Sequence, residues 1–265
     1  MKKILNILMV FMLVLFSCSR NSNSVQILYY GHSCFEFNYA DQRILIDPFI
    51  PEWFDYILPR GKFNLGFSTH DAKDHSYFEG LNIDKIYFAK GETDEFRLQQ
   101  GNNISVQRGK ISEFFMGRKV SFWTVPSFHD EVQGRRDGVN GILCFDFNGI
   151  RITHLGDIGH VLEEKQLSGI GEVDILMVPV DSYYIIELEK ARAIVDQLSP
   201  AIVIPMHYKT DKSHNKAYGD DLDKFVKMFE NVKKCGTQPI TITEKECDVD
   251  PYLLLLEYLK DDSHL

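Results

Sequence analysis

Leu65-Gly66-Phe67-Ser68-Thr69-His70-Asp71-Ala72-Lys73-Asp74-His75 joins a short apolar run to two imidazoles, with a carboxylate beside the second. Leu65 to Ser68 reads as a strand, and the polar turn after it brings His70, Asp74 and His75 together before a helix has room to begin. The same grammar recurs further along the chain. His129 follows Phe122-Trp123-Thr124-Val125-Pro126-Ser127-Phe128, Asp157 follows Ile152-Thr153-His154-Leu155-Gly156, and His207 follows Ile202-Val203-Ile204-Pro205-Met206. A rigid sheet that ends its strands on such residues places them at one edge. Imidazole nitrogen and carboxylate oxygen are the ligands that zinc and similar first-row ions accept while keeping room for water.

The surrounding periodicity supports this frame. Short β-rich runs, Gln26 to Tyr30, Cys34 to Phe37, Arg43 to Asp47, Leu65 to Ser68, Lys85 to Phe88 and Ile104 to Gln107, form one half. Lys119 to Pro126, Ile142 to Phe147, Ile150 to Leu155, Ile175 to Pro179 and Ala201 to Pro205 form a second. Leu188, Ala191, Ile194, Val195 and Leu198 make a helical stripe that stops at Ser199-Pro200. Leu222, Phe225, Val226 and Phe229 predict another helix, with Asp220 as N-cap, Lys233 and Lys234 in its last turn and Gly236 as its stop. No fixed-period repeat interrupts the chain, so residues 25–265 read as one domain.

Taken in order, Tyr30-Gly31-His32-Ser33-Cys34-Phe35, Ile46-Asp47-Pro48-Phe49, Thr69-His70, Asp74-His75, Phe128-His129-Asp130, His154-Leu155-Gly156-Asp157, Asp174-Ile175-Leu176 and Pro205-Met206-His207-Tyr208 carry a likeness. The chain resembles the metallo-β-lactamase superfamily, and within it the branch of lactamase-fold hydrolases that includes ascorbate-phosphate lactonase-like proteins. The resemblance implies an α/β fold, an αββα sandwich of two packed sheets with helices on the outer faces and a metal centre along one edge. The family pattern His-x-His-x-Asp-His supplies both metals, and here Ala72 stands in place of its second histidine. By that resemblance a first site keeps His70 and His129 without a third imidazole, a second keeps Asp74, His75 and His207, and Asp157 takes the bridging position. The second site is expected to be the tighter. One or two divalent ions are implied, zinc first, with manganese or iron also compatible.

The implied activity is a metal-dependent hydrolysis of a small-molecule ester, lactone, amide or phosphoester by a metal-activated water, with Asp74 both a ligand and the residue that handles the proton. His32, His160 and Arg135 are candidates to touch substrate, each with a plainer alternative: a backbone-bonded ring for His32, an orienting role toward Asp157 for His160, a solvated charged loop for Arg135. His154 reads as a core or supporting residue, and His214 as a surface one. Asp181-Ser182 replaces a small glycine pair expected from the family, and either narrows the pocket or adds a carboxylate to it. Lys73 either points to solvent or substitutes for part of the missing positive charge. Ala72 and Lys73 leave open a non-catalytic protein of the same fold that binds a partner or small molecule, whereas the six retained ligands favour the enzyme.

Composition narrows the partners. The 265 residues, 44% hydrophobic and 25% charged, describe a folded chain and exclude disorder, collagen and coiled coil. A net charge of −9 would repel a phosphate backbone, so nucleic acid is not expected as a partner. Lys2 and Lys3 precede an apolar run, Ile4 to Phe16, that is shorter than a membrane span and reads as a secretory signal over residues 1–17. Leu15-Phe16-Ser17-Cys18 resembles a bacterial lipobox, which makes Cys18 the lipidated residue and 18–24 its tether. The expected location is outside the cytoplasmic membrane, facing the periplasm or cell exterior, with membrane contact only through that anchor. Cys34 and Cys144 read as buried thiols, while Cys235 and Cys247 are candidates to pair across a hairpin.

Overall fold

The computed structural model describes residues 23–214, 221–236 and 238–260. The signal, Cys18 and Asp220 lie outside the described residues.

Two eight-stranded sheets pack face to face. In the first half of the chain run β1 (Ser24–Gly31), β2 (Cys34–Tyr39), β3 (Gln42–Ile46), β4 (Lys62–Ser68), β5 (Asn82–Ala89), β6 (Glu95–Gln100) and β7 (Asn103–Arg108). The second sheet takes β8 (Ile111–Phe115), β9 (Arg118–Phe128), β10 (Val139–Phe147), β11 (Ile150–His154), β12 (Ile175–Pro179), β13 (Ile202–Met206), β14 (Val232–Cys235) and β16 (Tyr252–Leu256). β15 (Ile240–Thr243) returns to the first sheet beside β1. This is the two-sheet sandwich that the resemblance to the metallo-β-lactamase superfamily implied.

Chain direction decides where the site falls. β3 and β4 are parallel, and β1 shares their direction because it is antiparallel to β2, which is antiparallel to β3. In the second sheet β11, β12 and β13 are parallel, and β9 shares their direction through antiparallel β10. The carboxyl ends of β1, β3, β4, β9, β11, β12 and β13 are therefore followed by His32, Asp47, His70, His129, Asp157, Asp181 and His207. Ligand sites of parallel sheets lie outside the carboxyl ends of strands for this reason.

The core between the sheets is aromatic. Phe67 of β4 stacks on Tyr87 at 5.1 Å and meets Phe122 and Phe145 of the opposite sheet edge-on at 4.9 and 5.0 Å. β12 and β13 are buried at every position, as continuous apolar runs in a covered parallel sheet should be.

Three α-helices lie among the described residues: α1 (Glu164–Ile170), α2 (Leu188–Leu198) and α3 (Asp221–Val226). α1 packs on β9 and α2 on β12, both in the second sheet. The outer face of the first sheet is covered differently. Leu28, Tyr30, Leu45 and Phe63 are capped by Phe49, Phe54, Tyr56 and Leu259, from irregular segments rather than from a helix.

Two expectations are corrected here. The helix predicted through Lys234 ends at Val226, and Val232 to Cys235 instead extend as β14, paired in parallel with β16. An open sheet edge offers four residues a hydrogen-bond ladder, which outweighs helix-compatible lysines. Cys235 and Cys247 do not face each other across a hairpin, because β14 and β15 belong to different sheets. The Cys247 thiol donates to the Thr243 carbonyl at 3.6 Å.

Phe67→Ala would remove the ring that joins the two sheets. We expect a loss of about 3–5 kcal/mol in urea denaturation of the whole protein, with an unchanged midpoint as the contrary result.

Candidate metal centre

The edge residues converge on one oxygen. Asp157 Oδ2 lies 3.1 Å from His75 Nε2, 3.2 Å from His129 Nε2, 3.4 Å from His207 Nε2 and 3.9 Å from His70 Nε2. Asp74 Oδ2 lies 3.9 Å from His75 Nε2 and 3.2 Å from His32 Nε2. Two groups of possible ligands result: His70, His129 and Asp157 in one, and His32, Asp74, His75 and His207 in the other. The structure thus brings together all six side chains read as ligands, and adds His32 to them.

Hydrogen bonds behind the rings fix their tautomers. Asp47 accepts the Thr69 backbone N–H and the Thr69 hydroxyl, each at 2.8 Å, and its Oδ2 also faces His75 Nδ1 at 2.8 Å. With its proton directed at Asp47, the Thr69 hydroxyl accepts from His70 Nδ1 at 3.0 Å. His70 consequently carries its hydrogen on Nδ1 and turns a bare Nε2 to the centre, whereas His75, although burial opposes its charge, is held well above the ordinary imidazole range by Asp157, Asp74 and Asp47 and gives up its Nε2 proton only to a cation. Asp181 Oδ2 lies 3.3 Å from His207 Nδ1. Carboxylates behind imidazoles orient the ring and raise its basicity as a ligand.

Asp157 is placed by its backbone. Asn140 Oδ1 accepts the Asp157 N–H at 3.0 Å, while Asn140 Nδ2 donates to Leu155 O at 2.8 Å and Ser127 Oγ at 2.7 Å. Gly156 precedes it at φ +59°, where a side chain would press on Asn140 Oδ1 and stand 2.8 Å from Thr69 Cβ. Gly159 passes against the backbone carbonyl of His129 in the same way.

The electrostatics follow from burying many ionisable groups together. Burial alone would raise the Asp157 pKa, but His207 and His75 hold its carboxyl well below the ordinary range. Burial works against charge on His207 as well, yet Asp157 raises its pKa to about 10. His32 is lowered to about 4 by burial and by His207, and His70 to about 4 by burial and by His75. Protons on part of the imidazole set therefore balance the carboxylates, and a cation at the centre would displace them.

The donor set fits a divalent metal. Asp157 Oδ1 is buried without a hydrogen-bond partner, and His75 Nε2 is buried against Asp157 Oδ2 at 3.1 Å. Leaving such an atom unsatisfied is costly, and an ion between the two residues would meet both. Neutral imidazoles with carboxylates suit zinc and its first-row neighbours.

A cavity of about 620 Å³ opens on the centre, lined at its base by His70, Ala72, Asp74, His129, Asp157 and His207. Trp53, Phe54, Tyr184 and Ile185 form its apolar wall, and Glu52, Asp137 and His214 its polar rim. Neither His160 nor Arg135 reaches it. His160 accepts the Phe128 N–H at 3.3 Å and its Nδ1 donates to Val161 O at 2.7 Å, so both ring nitrogens are spent on backbone. Arg135 is exposed and donates to Val132 O at 2.9 Å. The loop itself is pinned from inside, with Asp130 accepting the N–H groups of Val132, Gly134, Arg136 and Asp137 at 2.8 Å each.

Other expectations resolve similarly. His32 is 1% exposed and does not line the cavity; its Nε2 meets Asp74 Oδ2 at 3.2 Å. Lys73 is exposed and outside the lining, so it supplies no substitute charge there. His214, read as a surface residue, is exposed but sits on the cavity rim, where it bonds Glu52 O at 3.0 Å. His154 takes the supporting role: its Nε2 donates to Ser33 O at 3.0 Å and its Nδ1 accepts from Gly156 N at 3.1 Å. Asp181 adds its carboxylate behind His207 rather than to the cavity.

Asp47, Thr69 and Asn140 carry no role in the sequence reading. Asp47 follows a strand as the ligands do, and that was a usable signal. Asn140 lies at the start of β10 with nothing in its neighbours to single it out.

A sandwich whose strand ends gather imidazoles and carboxylates around one oxygen defines a metallo-hydrolase class of protein. The comparisons make the family specific. A family model described as a beta-lactamase superfamily domain matches residues 26–207, and the chain belongs to that superfamily. A protein of Nanoarchaeum equitans named UPF0173 metal-dependent hydrolase is 31% identical over 198 residues, covering 70% of this chain and 85% of its own. A namesake from Symbiobacterium thermophilum is 30% identical over 202 residues, 70% and 85% of the two chains. A solved structure from Thermotoga maritima, described as a Zn-dependent hydrolase of the metallo-beta-lactamase superfamily, is 25% identical with a TM-score of 0.63, covering 88% of this chain and 98% of its own. The protein is a metal-dependent hydrolase of this superfamily, and the non-catalytic alternative is set aside.

Gly156→Ala would push Asn140 and Thr69 apart at the point where Asp157 is held. We expect a stability loss of about 1–3 kcal/mol, the usual cost of overpacking, and a fall in bound metal measured by elemental analysis; wild-type values of both would contradict this placement.

Proposed function

We propose that the protein hydrolyses a small, uncharged carbonyl compound, an ester, lactone or amide carrying an aromatic or bulky apolar group, with zinc as the metal. The observation that carries this is the cavity lining. Its wall is Trp53, Phe54, Tyr184 and Ile185, its remaining polar groups are carboxylates and imidazoles, and among the described residues neither lysine nor arginine lines it. Phosphoesters are usually clamped by guanidinium or ammonium groups, so a phosphoester is the weaker reading. Trp53 is 45% exposed, which leaves its face available to a substrate ring, and Tyr184, whose ring packs on Tyr183 at 4.5 Å, is 40% exposed beside it.

A divalent ion held here would lower the pKa of a water molecule toward neutrality and would polarise the bond under attack. His70, His129, Asp157, Asp74, His75 and His207 would hold the ions. Asp74, 19% exposed at its side chain and on the cavity floor, is placed to accept a proton from the attacking water. The apolar wall excludes bulk water and fixes the substrate beside that carboxylate.

The test compares an aryl ester and an aryl lactone with an aryl phosphodiester, using zinc-loaded protein. Expected are a kcat/KM at least about tenfold higher for the carbonyl substrates, loss of activity on chelation and a several-fold rise in KM for Trp53→Ala. Preference for the phosphodiester would overturn the substrate class.

The location follows from sequence alone. Lys2, Lys3, the apolar run and Leu15-Phe16-Ser17-Cys18 support export and lipid attachment at Cys18, with the hydrolase facing the periplasm or exterior. Cys18→Ser should abolish incorporation of labelled palmitate and release the protein from the membrane fraction. Unchanged labelling would refute the anchor.

A further inference from the structure

We infer that His32 is a direct fourth ligand, so that the two metal positions are unequal: a closed inner one held by His32, Asp74, His75 and His207, and an open outer one held by His70, His129 and Asp157. This rests on the reading that the centre binds metal, and it assigns the parts that the two ions play.

The geometry singles out His32. Its Nε2 is 3.2 Å from Asp74 Oδ2, and its ring centroid is 3.9 Å from that of His207 and 5.2 Å from that of His75. One ligand atom from each of these four residues lies within 4.8 Å of every other. A tetrahedral site with bonds of roughly 2.0–2.1 Å separates its ligand atoms by roughly 3.3–3.5 Å, a spacing that the His32–Asp74 pair, at 3.2 Å, and the Asp74–His75 pair, at 3.9 Å, bracket.

The backbone is held for the purpose. His32 and His207 both adopt left-handed conformations, at φ +56° and +55°. Such backbone in a non-glycine residue is costly and concentrates at functional positions. The strain is locked by two bonds to the His32 carbonyl, from the His207 N–H at 2.8 Å and from the Tyr29 hydroxyl at 3.0 Å. Gly31 gives the chain room to turn there, since a Cβ on it would lie 2.5 Å from the Tyr56 ring. A substrate-binding histidine would need access to the cavity, and His32 has none: it is 1% exposed, with Phe54 4.5 Å away centroid to centroid.

The consequence concerns Ala72. Four protein donors, with Asp157 Oδ2 a further 3.1 Å from His75 Nε2 and 3.4 Å from His207 Nε2, would fill the coordination of an inner ion and leave no position for substrate, which is the character of a structural site. The outer group offers three donors beside the cavity, and Ala72, at the cavity base, adds no fourth. Two nitrogens, one carboxylate oxygen and an open position are the makings of a catalytic site. The missing imidazole would therefore leave an outer ion exposed, while His32 would secure an inner one.

The test uses full-length protein stripped of metal and reloaded with Co²⁺ or Zn²⁺, then challenged with chelators of graded strength. Wild type should keep one equivalent after the second has gone, and the retained cobalt should show the intense visible absorption of four-coordination. His32→Ala and the more conservative His32→Gln should each weaken the retained equivalent at least about tenfold, the lower bound seen when even an outer partner of a ligand is lost, and reduce the visible band. Ala72→His should raise the retained number toward two without altering the first spectrum. If both His32 variants fold by near-ultraviolet circular dichroism and keep wild-type retention and spectrum, His32 is not a ligand, although the hydrolase reading stands. If either variant fails to fold, Ala72→His decides: no gain in retained metal overturns the unequal assignment. If wild type retains no metal at all, the metal-dependent reading falls with it.

Discussion

A single buried carboxylate oxygen, Asp157 Oδ2, has four imidazole nitrogens within 3.9 Å, and the rest of the edge is arranged to keep it so. Those nitrogens belong to residues that follow β4, β9 and β13, strands of two different sheets. They meet only if the sheets pack with their carboxyl strand ends on the same side. The aromatic core around Phe67 sets that packing, and Asn140, Gly156 and Gly159 set the last few ångströms.

The backing carboxylates make the same point in electrostatic terms. Asp47 behind His75 and Asp181 behind His207 place negative charge on the far side of rings whose near side faces more of it. So many buried acids and bases are stable together only through close mutual compensation, by protons or by cations. The apolar wall of the cavity lowers the local dielectric further, strengthening that compensation.

Much of this was legible in the chain because strand ends are legible. His70, His129, Asp157 and His207 each terminate an apolar run, so their shared edge could be read without coordinates, and Asp74 and His75 came with the turn. What could not be read depends on contacts between distant segments. Asn140 acts through Leu155, Ser127 and Asp157, and no local pattern announces that. His160 looked well placed in sequence but turns both nitrogens to backbone. His32 was read as a candidate for substrate, since sequence fixes its place after β1 but not the side of Asp74 on which its ring lies. The segment after α3 was misread because helical spacing and an edge strand compete, and the partner strand β16 decides.

The central claim is that these side chains surround shared ions. Crystals of the zinc-soaked protein, measured on both sides of the zinc absorption edge, test it most directly. Anomalous peaks should appear between Asp157 Oδ2 and the His70–His129 pair, and between Asp74 and the His75–His207 pair. Peaks confined to other parts of the surface at saturating zinc, with the edge side chains in their present positions, would contradict the account.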